Sequence, residues 1–127
     1  MKIGILICYD VEFPEIVRCL ALEGVHFVAV PPASTVISRV ISSAVIPSRA
    51  RENQFFVAYV NHCGIVNGKE FIGCSCVCGP DGKDIVRAGE KECLMFASID
   101  VLQCVSVRNE NSYLKERRPE LYSKLVS

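Results

Sequence analysis

The stretch Lys2-Ile3-Gly4-Ile5-Leu6-Ile7-Cys8-Tyr9-Asp10-Val11-Glu12-Phe13-Pro14-Glu15 decides how the rest of the sequence is read. Lys2 to Cys8 is an apolar run rich in β-branched residues and bounded by a turn, the pattern of a buried strand. Asp10 to Pro14 reads as that turn. Proline suits the first turn of a helix, where its missing N–H would have no partner. From Glu15 to Glu23 the apolar positions Ile16, Cys19, Leu20 and Leu22 leave Arg18 and Glu23 for another face, and Gly24 supplies the stop. Val25 to Val30 is a second apolar run, closed by Pro31 and Pro32. Strand, helix and strand at this spacing make a βαβ unit, so the two strands are expected to be parallel neighbours.

Outward from this unit, Ser34 to Ser43 reads as a loop or broken helix and Ala44 to Asn53 as a helix. Phe55 to Val60 is the next strand. The turn Asn67-Gly68-Lys69 precedes a strand over Phe71 to Cys78. Gly79-Pro80-Asp81-Gly82 is a second turn, leading to a short strand from Asp84 to Arg87. Leu94 to Ile99 reads as the last strand, and Asp100 can cap a helix to about Asn109. The tail around Arg117-Arg118-Pro119 reads as extended. Alternating strands and helices indicate α/β with a mixed sheet. The apolar strands need cover on both faces and few helices are available, so residues 1–127 read as one partial domain of a larger layered fold.

Half of the 127 residues are hydrophobic and 22% are charged, enough apolar material for a core. Fourteen basic residues balance fourteen acidic ones, with no block of one sign. Neither a nucleic-acid surface nor a membrane-binding face is indicated. The run Ile3 to Cys8 is too short to span a bilayer and lacks the flanks of a signal peptide, so a soluble, cytoplasmic protein is expected. In a reducing compartment the eight cysteines are free thiols by default. Cys74, Cys76 and Cys78 alternate along the expected strand and read as small packing residues on one face. With only His26 and His62 available and no paired CxxC spacing, no metal site is expected, nor any cofactor.

Cys8 ends a strand and is followed at once by a turn and a helix. That geometry throws a side chain into a cleft and aims the following backbone N–H groups where an oxyanion would form. A cysteine at a strand end is more often packing. Asp10 reads as a turn-holding side chain, Glu15 as a partner for Arg18, and Arg49, Arg51 and Glu52 as an ion-pair cluster on a helix. His26 and His62 are poor candidates for a dyad with Cys8. Gly64 to Lys69 has the wrong spacing for a P-loop, and Ser75 lacks the second glycine of a GxSxG elbow.

Ile5 to Glu15 resembles the cysteine motif of the nitrilase superfamily. The resemblance continues through Arg18, Leu22, Gly24 and the Val30-Pro31-Pro32-Ala33 loop. It recurs in Arg49-Ala50-Arg51-Glu52-Asn53, Phe56-Val57-Ala58-Tyr59 and Asn61-His62-Cys63-Gly64, then in Gly73 to Gly82 and in Arg117-Arg118-Pro119-Glu120-Leu121-Tyr122. Matches in one order along nearly the whole chain are more specific than any one of them.

The resemblance implies part of a four-layer α-β-β-α sandwich and thiol-dependent hydrolysis of a non-peptide carbon–nitrogen bond in a small amide, nitrile or carbamoyl compound. Cys8 is then the nucleophile, and the Tyr9 backbone N–H is an oxyanion donor. Glu12 and Ala33 border the substrate, and a homo-oligomer is expected. Family members acting on acidic substrates often carry arginine at the position of Glu12, so a neutral or cationic substrate is implied. The family's glutamate base, lysine and second glutamate precede its cysteine. Only seven residues precede Cys8, and none matches them. The chain is therefore expected to be a C-terminal half, inactive alone; the alternative is a non-catalytic pseudo-hydrolase or oligomerisation module.

Overall fold

β1 (Ile3–Ile5), α1 (Pro14–Leu22) and β2 (Phe27–Val30) form the expected βαβ unit in the computed structural model, which describes residues 1–35 and 38–125. Ile3, Gly4 and Ile5 pair in parallel with Phe27, Val28 and Ala29. β1 stops short of Cys8 for a visible reason. Leu6 still donates its N–H to Ala29 O at 3.0 Å, but the Ile7 N–H is taken by Asp10 Oδ2 at 3.1 Å, which pulls the chain out of the sheet. On α1 the buried positions are Val17 and Ala21, with Leu20 against them; Ile16, Cys19 and Leu22 are exposed or line a groove under the tail. The apolar stripe read from the sequence was thus the neighbouring one.

α2 (Ile46–Asn53) is preceded by a π-helical turn, Ile41–Val45, so the expected broken helix is continuous winding from about Arg39; Val36 and Ile37 lie outside the described residues. β3 (Phe56–Tyr59) adds to β2 in parallel. β4 (Cys63–Val66) and β5 (Lys69–Ile72) make a separate antiparallel hairpin. Asn67 and Gly68 turn it with φ of 50° and 75°, the left-handed pair that a two-residue hairpin requires. β6 (Cys76–Cys78) and β7 (Asp84–Arg87) complete a five-stranded mixed sheet in the order β1-β2-β3-β6-β7.

Three expectations are corrected here. The single strand from Phe71 to Cys78 is broken at Gly73 and Cys74, whose φ values are 61° and 52°. A Cβ on Gly73 would stand 2.9 Å from Gly89 O, so the break depends on glycine there. Cys74 accordingly lies outside β6, with its sulfur 3.8 Å from Arg39 Nη1. Leu94 to Ile99 forms no strand, and Leu94 and Phe96 are exposed. The tail is not extended throughout, since Pro119–Leu121 and Ser123–Leu125 are 3₁₀ turns.

α3 (Leu102–Glu110) starts where Asp100 Oδ1 accepts the Leu102 N–H at 3.0 Å. Gln54, in the left-handed conformation after α2, donates Nε2 to Val107 O and Asn111 O and ties down the end of α3. Gly4, Val28, Val57 and Cys78 form one cross-strand row, and Val30, Tyr59 and Cys76 the next. Val17 and Ala21 of α1 and Ile46 and Ala50 of α2 join them in the core. Among the described residues no helix is long and apolar enough to cross a membrane.

β1 is an edge strand, and Ile3, Ile5 and Ile7 stand 55%, 67% and 67% exposed. Exposed apolar edges of this kind drive association. The chain expressed alone is expected to elute from a sizing column as a higher assembly, and Ile5→Lys to shift it toward monomer. A wild-type monomer with a cooperative melt would contradict this.

Candidate active site

Cys8 has φ of 52°, in the left-handed region, and begins a 3₁₀ turn over Cys8–Glu12. For a residue with a Cβ this costs on the order of 1–2 kcal/mol, so the surroundings must enforce it. They do so from two sides. Asp10 holds the turn from within: its carboxylate takes the Ile7 N–H, its own N–H reaches Ile7 O at 3.2 Å, and its carbonyl accepts from Phe13 at 3.2 Å. Arg49 on α2 holds it from outside. Arg49 Nε donates to Val11 O at 2.9 Å, Nη2 to Glu12 O at 2.7 Å, and Nη1 to Glu52 Oε1 at 3.0 Å. Its side chain is only 13% exposed, so these charge-assisted bonds are little screened. The cluster expected on α2 is therefore an ion pair plus a clamp on the turn.

Cys8 is partly exposed, with a free thiol. The first N–H groups of any helical turn lack intrahelical partners, which is why the Tyr9 N–H suits an oxyanion. The Tyr9 ring is exposed and packs edge-on against Phe13, with centroids 4.9 Å apart. Ala33 is exposed in the loop after β2, so Cys8 and Ala33 follow the carboxyl ends of neighbouring parallel strands. Ligands of α/β sheets bind beyond such ends. The loop is fastened at Ser34, whose N–H and carbonyl both bond the Asn61 side chain, at 2.9 and 3.0 Å. Asn61 also donates to Gly73 O at 3.1 Å, and Ser75 Oγ accepts the Asn61 N–H at 2.9 Å.

Glu12 is half-buried, and its main-chain carbonyl is occupied by Arg49. Its carboxylate forms no ion pair among the described residues. Near it and Cys8 lies a residue that sequence reading passed over. Tyr59 is completely buried, and the Ser34 hydroxyl lies within reach of its own. Burial pushes the phenol's ionisation upward, the Ser34 hydroxyl opposes this, and the negative forms of Cys76, Cys8 and Glu12 would push it further. It is a neutral hydroxyl.

The other candidates go elsewhere. His26 Nδ1 accepts the Lys2 N–H at 3.1 Å, at the opposite end of β1 from Cys8. His62 lies against Phe71, 5.5 Å between ring centroids. Glu15 and Arg18 do not pair; Arg18 is held down in pKa by burial and supported by Glu52 instead. Cavities of about 460 Å³, beside Arg39 and Arg87, and 420 Å³, under the tail, are not lined by Cys8. The candidate site is a partly exposed thiol with no carboxylate or imidazole bonded to it among the described residues.

Cys8 thus stands on a strained strand-to-helix turn at the carboxyl edge of a parallel sheet. Residues 1–109 match the family model for carbon-nitrogen hydrolases, and the chain belongs to that family, within the nitrilase superfamily. It is 43% identical over 124 residues to the "Hydrolase in pqqF 5'region" of Pseudomonas protegens, covering 98% of this chain and 44% of that protein. It is 35% identical to an (R)-stereoselective amidase of a Pseudomonas species, over 93% of this chain and 43% of that one. The crystal structure of an amidase from Nesterenkonia sp. superposes with a TM-score of 0.84 at 36% identity, covering 97% of this chain and 43% of that one. The fold is thus the nitrilase-type α/β fold in part, and the chain spans under half the length of these relatives.

The clamp generates a test. Arg49→Ala strands two carbonyls and Glu52, and is expected to destabilise the protein by about 3 kcal/mol, read as a fall in the urea midpoint. Arg49→Lys should recover little of it, because one ammonium cannot reproduce a fork bonded in three directions. Unchanged midpoints for both variants would show that the clamp is dispensable.

Proposed function

We propose that this chain carries the nucleophile of an enzyme that hydrolyses a non-peptide carbon–nitrogen bond in a small amide, nitrile or carbamoyl compound. The observation that carries the reading is Cys8 itself: a family cysteine held at positive φ by Asp10 and Arg49 at the edge of a parallel sheet. A mutant of the Nesterenkonia amidase with the acetamide moiety of fluoroacetamide attached at its active-site cysteine supports the same role for the matching thiol here.

In the proposed reaction the Cys8 thiolate adds to the substrate carbon. The Tyr9 N–H donates to the oxygen of the tetrahedral intermediate, the amine or ammonia leaves with a proton, and water cleaves the thioester. A free thiol has a pKa near 8.5, so a base is needed to supply thiolate at neutrality. No residue here fills that role. The glutamate and the lysine implied by the family resemblance belong to a region that completes the site, and this chain alone is proposed to be inactive. Glu12 and Ala33 would border the substrate, residues 1–127 would be one partial domain, and the assembled enzyme would be a cytoplasmic homo-oligomer. Exposed Ile3, Ile5 and Ile7 also fit a purely associative module, which is the second reading.

The deciding experiment compares ammonia release from aliphatic amides by this chain and by the chain joined to a family region bearing the glutamate and lysine. Turnover is expected only from the joined protein and should vanish in Cys8→Ala and Cys8→Ser. Turnover that survives Cys8→Ala would refute the mechanism, and none from the joined protein would favour the associative module.

Glu12 sets a preference for uncharged or cationic substrates, because an unpaired carboxylate repels an anion more strongly where water is excluded. In the joined enzyme, Glu12→Arg should raise kcat/KM for a carboxylate-bearing amide relative to a matched neutral one by at least tenfold. An unchanged ratio would show that Glu12 is structural.

A further inference from the structure

The alternation of Cys76 and Cys78 reads, from sequence, as apolar packing. The structure adds what that spacing cannot reveal, a third donor from the neighbouring strand. Cys76 and Cys78 are both fully buried on the helix-covered face of β6, with their sulfurs 4.0 Å apart. β7 runs antiparallel beside them and pairs Asp84 with Cys78. Asp84 Oδ1 lies 3.2 Å from Cys78 Sγ, and the three donor atoms all fall within 4.8 Å of one another.

These separations fit a tetrahedral ion. Bonds of about 2.3 Å to sulfur and about 2.1 Å to oxygen place two sulfurs roughly 3.8 Å apart and a sulfur and an oxygen roughly 3.6 Å apart. The two sulfurs, and Cys78 with Asp84, would move by a few tenths of an ångström, while Cys76 and Asp84, within 4.8 Å of each other, would close by up to roughly 1 Å.

The charges fit as well. Two thiolates and a carboxylate carry −3, a divalent ion brings +2, and the neighbouring Arg87 makes the group neutral. Arg87 already fixes the carboxylate, with Nε 2.6 Å from Asp84 Oδ2 and Nη2 2.8 Å from Oδ1. Its Nη1 bonds Ser42 Oγ at 2.6 Å, and that hydroxyl is 4.0 Å from Cys76 Sγ. Outer hydrogen bonds that orient ligands in this way are a regular part of metal sites. Of the three donors, Asp84 reaches a cavity of about 460 Å³, which Ser42 and Arg87 also line.

We propose that Cys76, Cys78 and Asp84 bind one thiophilic divalent cation of the zinc type, separately from the hydrolytic site. Binding forms two metal–sulfur bonds and one metal–oxygen bond and releases the two thiol protons to solvent, with no change of oxidation state. The pair of thiolates selects soft or borderline ions over magnesium and calcium.

The test is titration of the full chain, reduced and free of oxygen, with Co²⁺ as the probe and Zn²⁺ as competitor. One Co²⁺ per chain is expected, with thiolate-to-cobalt charge-transfer absorption and the visible bands of a tetrahedral centre, both erased by Zn²⁺ and weakened as pH falls. Cys8→Ala should leave the signal intact. Cys76→Ser with Cys78→Ser should abolish it. Asp84→Asn, which keeps both thiols, should weaken binding at least tenfold even if the double variant fails to fold. Absence of the signal in the wild type, or its survival undiminished in Asp84→Asn or in a folded double variant, would overturn the proposal.

Discussion

Arg49 is the contact on which the rest of this site depends. One nearly buried guanidinium bonds two successive main-chain carbonyls of the Cys8 turn and the carboxylate of Glu52. It thereby couples the strand-to-helix turn to α2, which packs on β3 and beside α1. Left-handed backbone at a cysteine persists only when its surroundings over-determine it. Asp10 and Arg49 do so from opposite sides, and the thiol is held at the sheet edge instead of being folded inward. The order of dependence runs from α2, through Arg49 and the turn, to the thiol.

The sheet serves the site in the same manner. β1, β2 and β3 are parallel and end together, so the Cys8 turn and the loop through Ala33 rise from neighbouring positions. Asn61, just beyond β3, ties that loop to the Gly73 break. The turn that carries Cys8 and the loop that carries Ala33 are therefore positioned by this chain's own sheet. The apolar edge of β1 is exposed beside them.

Much of this was legible in the sequence because local chemistry and tertiary structure agree. β-branched residues before Cys8 and Pro14 after it fix strand, turn and helix, and Asn67-Gly68 fixes a hairpin. Legibility failed where the deciding contact is distant. Arg49 looked like part of a surface ion-pair cluster, since its carbonyl acceptors lie 38 and 37 residues away. Leu94 to Ile99 has a strand's composition but pairs with no other strand. The break at Cys74 depends on positive φ at a residue type that seldom adopts it, so no propensity announces it. Tyr59 sat within a recognisable strand, and only the packing reveals that its hydroxyl is completely buried.

The central claim is that Cys8, alone among the eight cysteines, forms a covalent bond to the substrate carbon. Acid quenching of the completed enzyme during turnover of a small amide, followed by peptide mapping, tests it most directly. The account predicts an acyl group of the substrate's mass on the peptide containing Cys8 and on no other. An acyl group on a different cysteine, or steady turnover with no acylated peptide at any quench time, would contradict it.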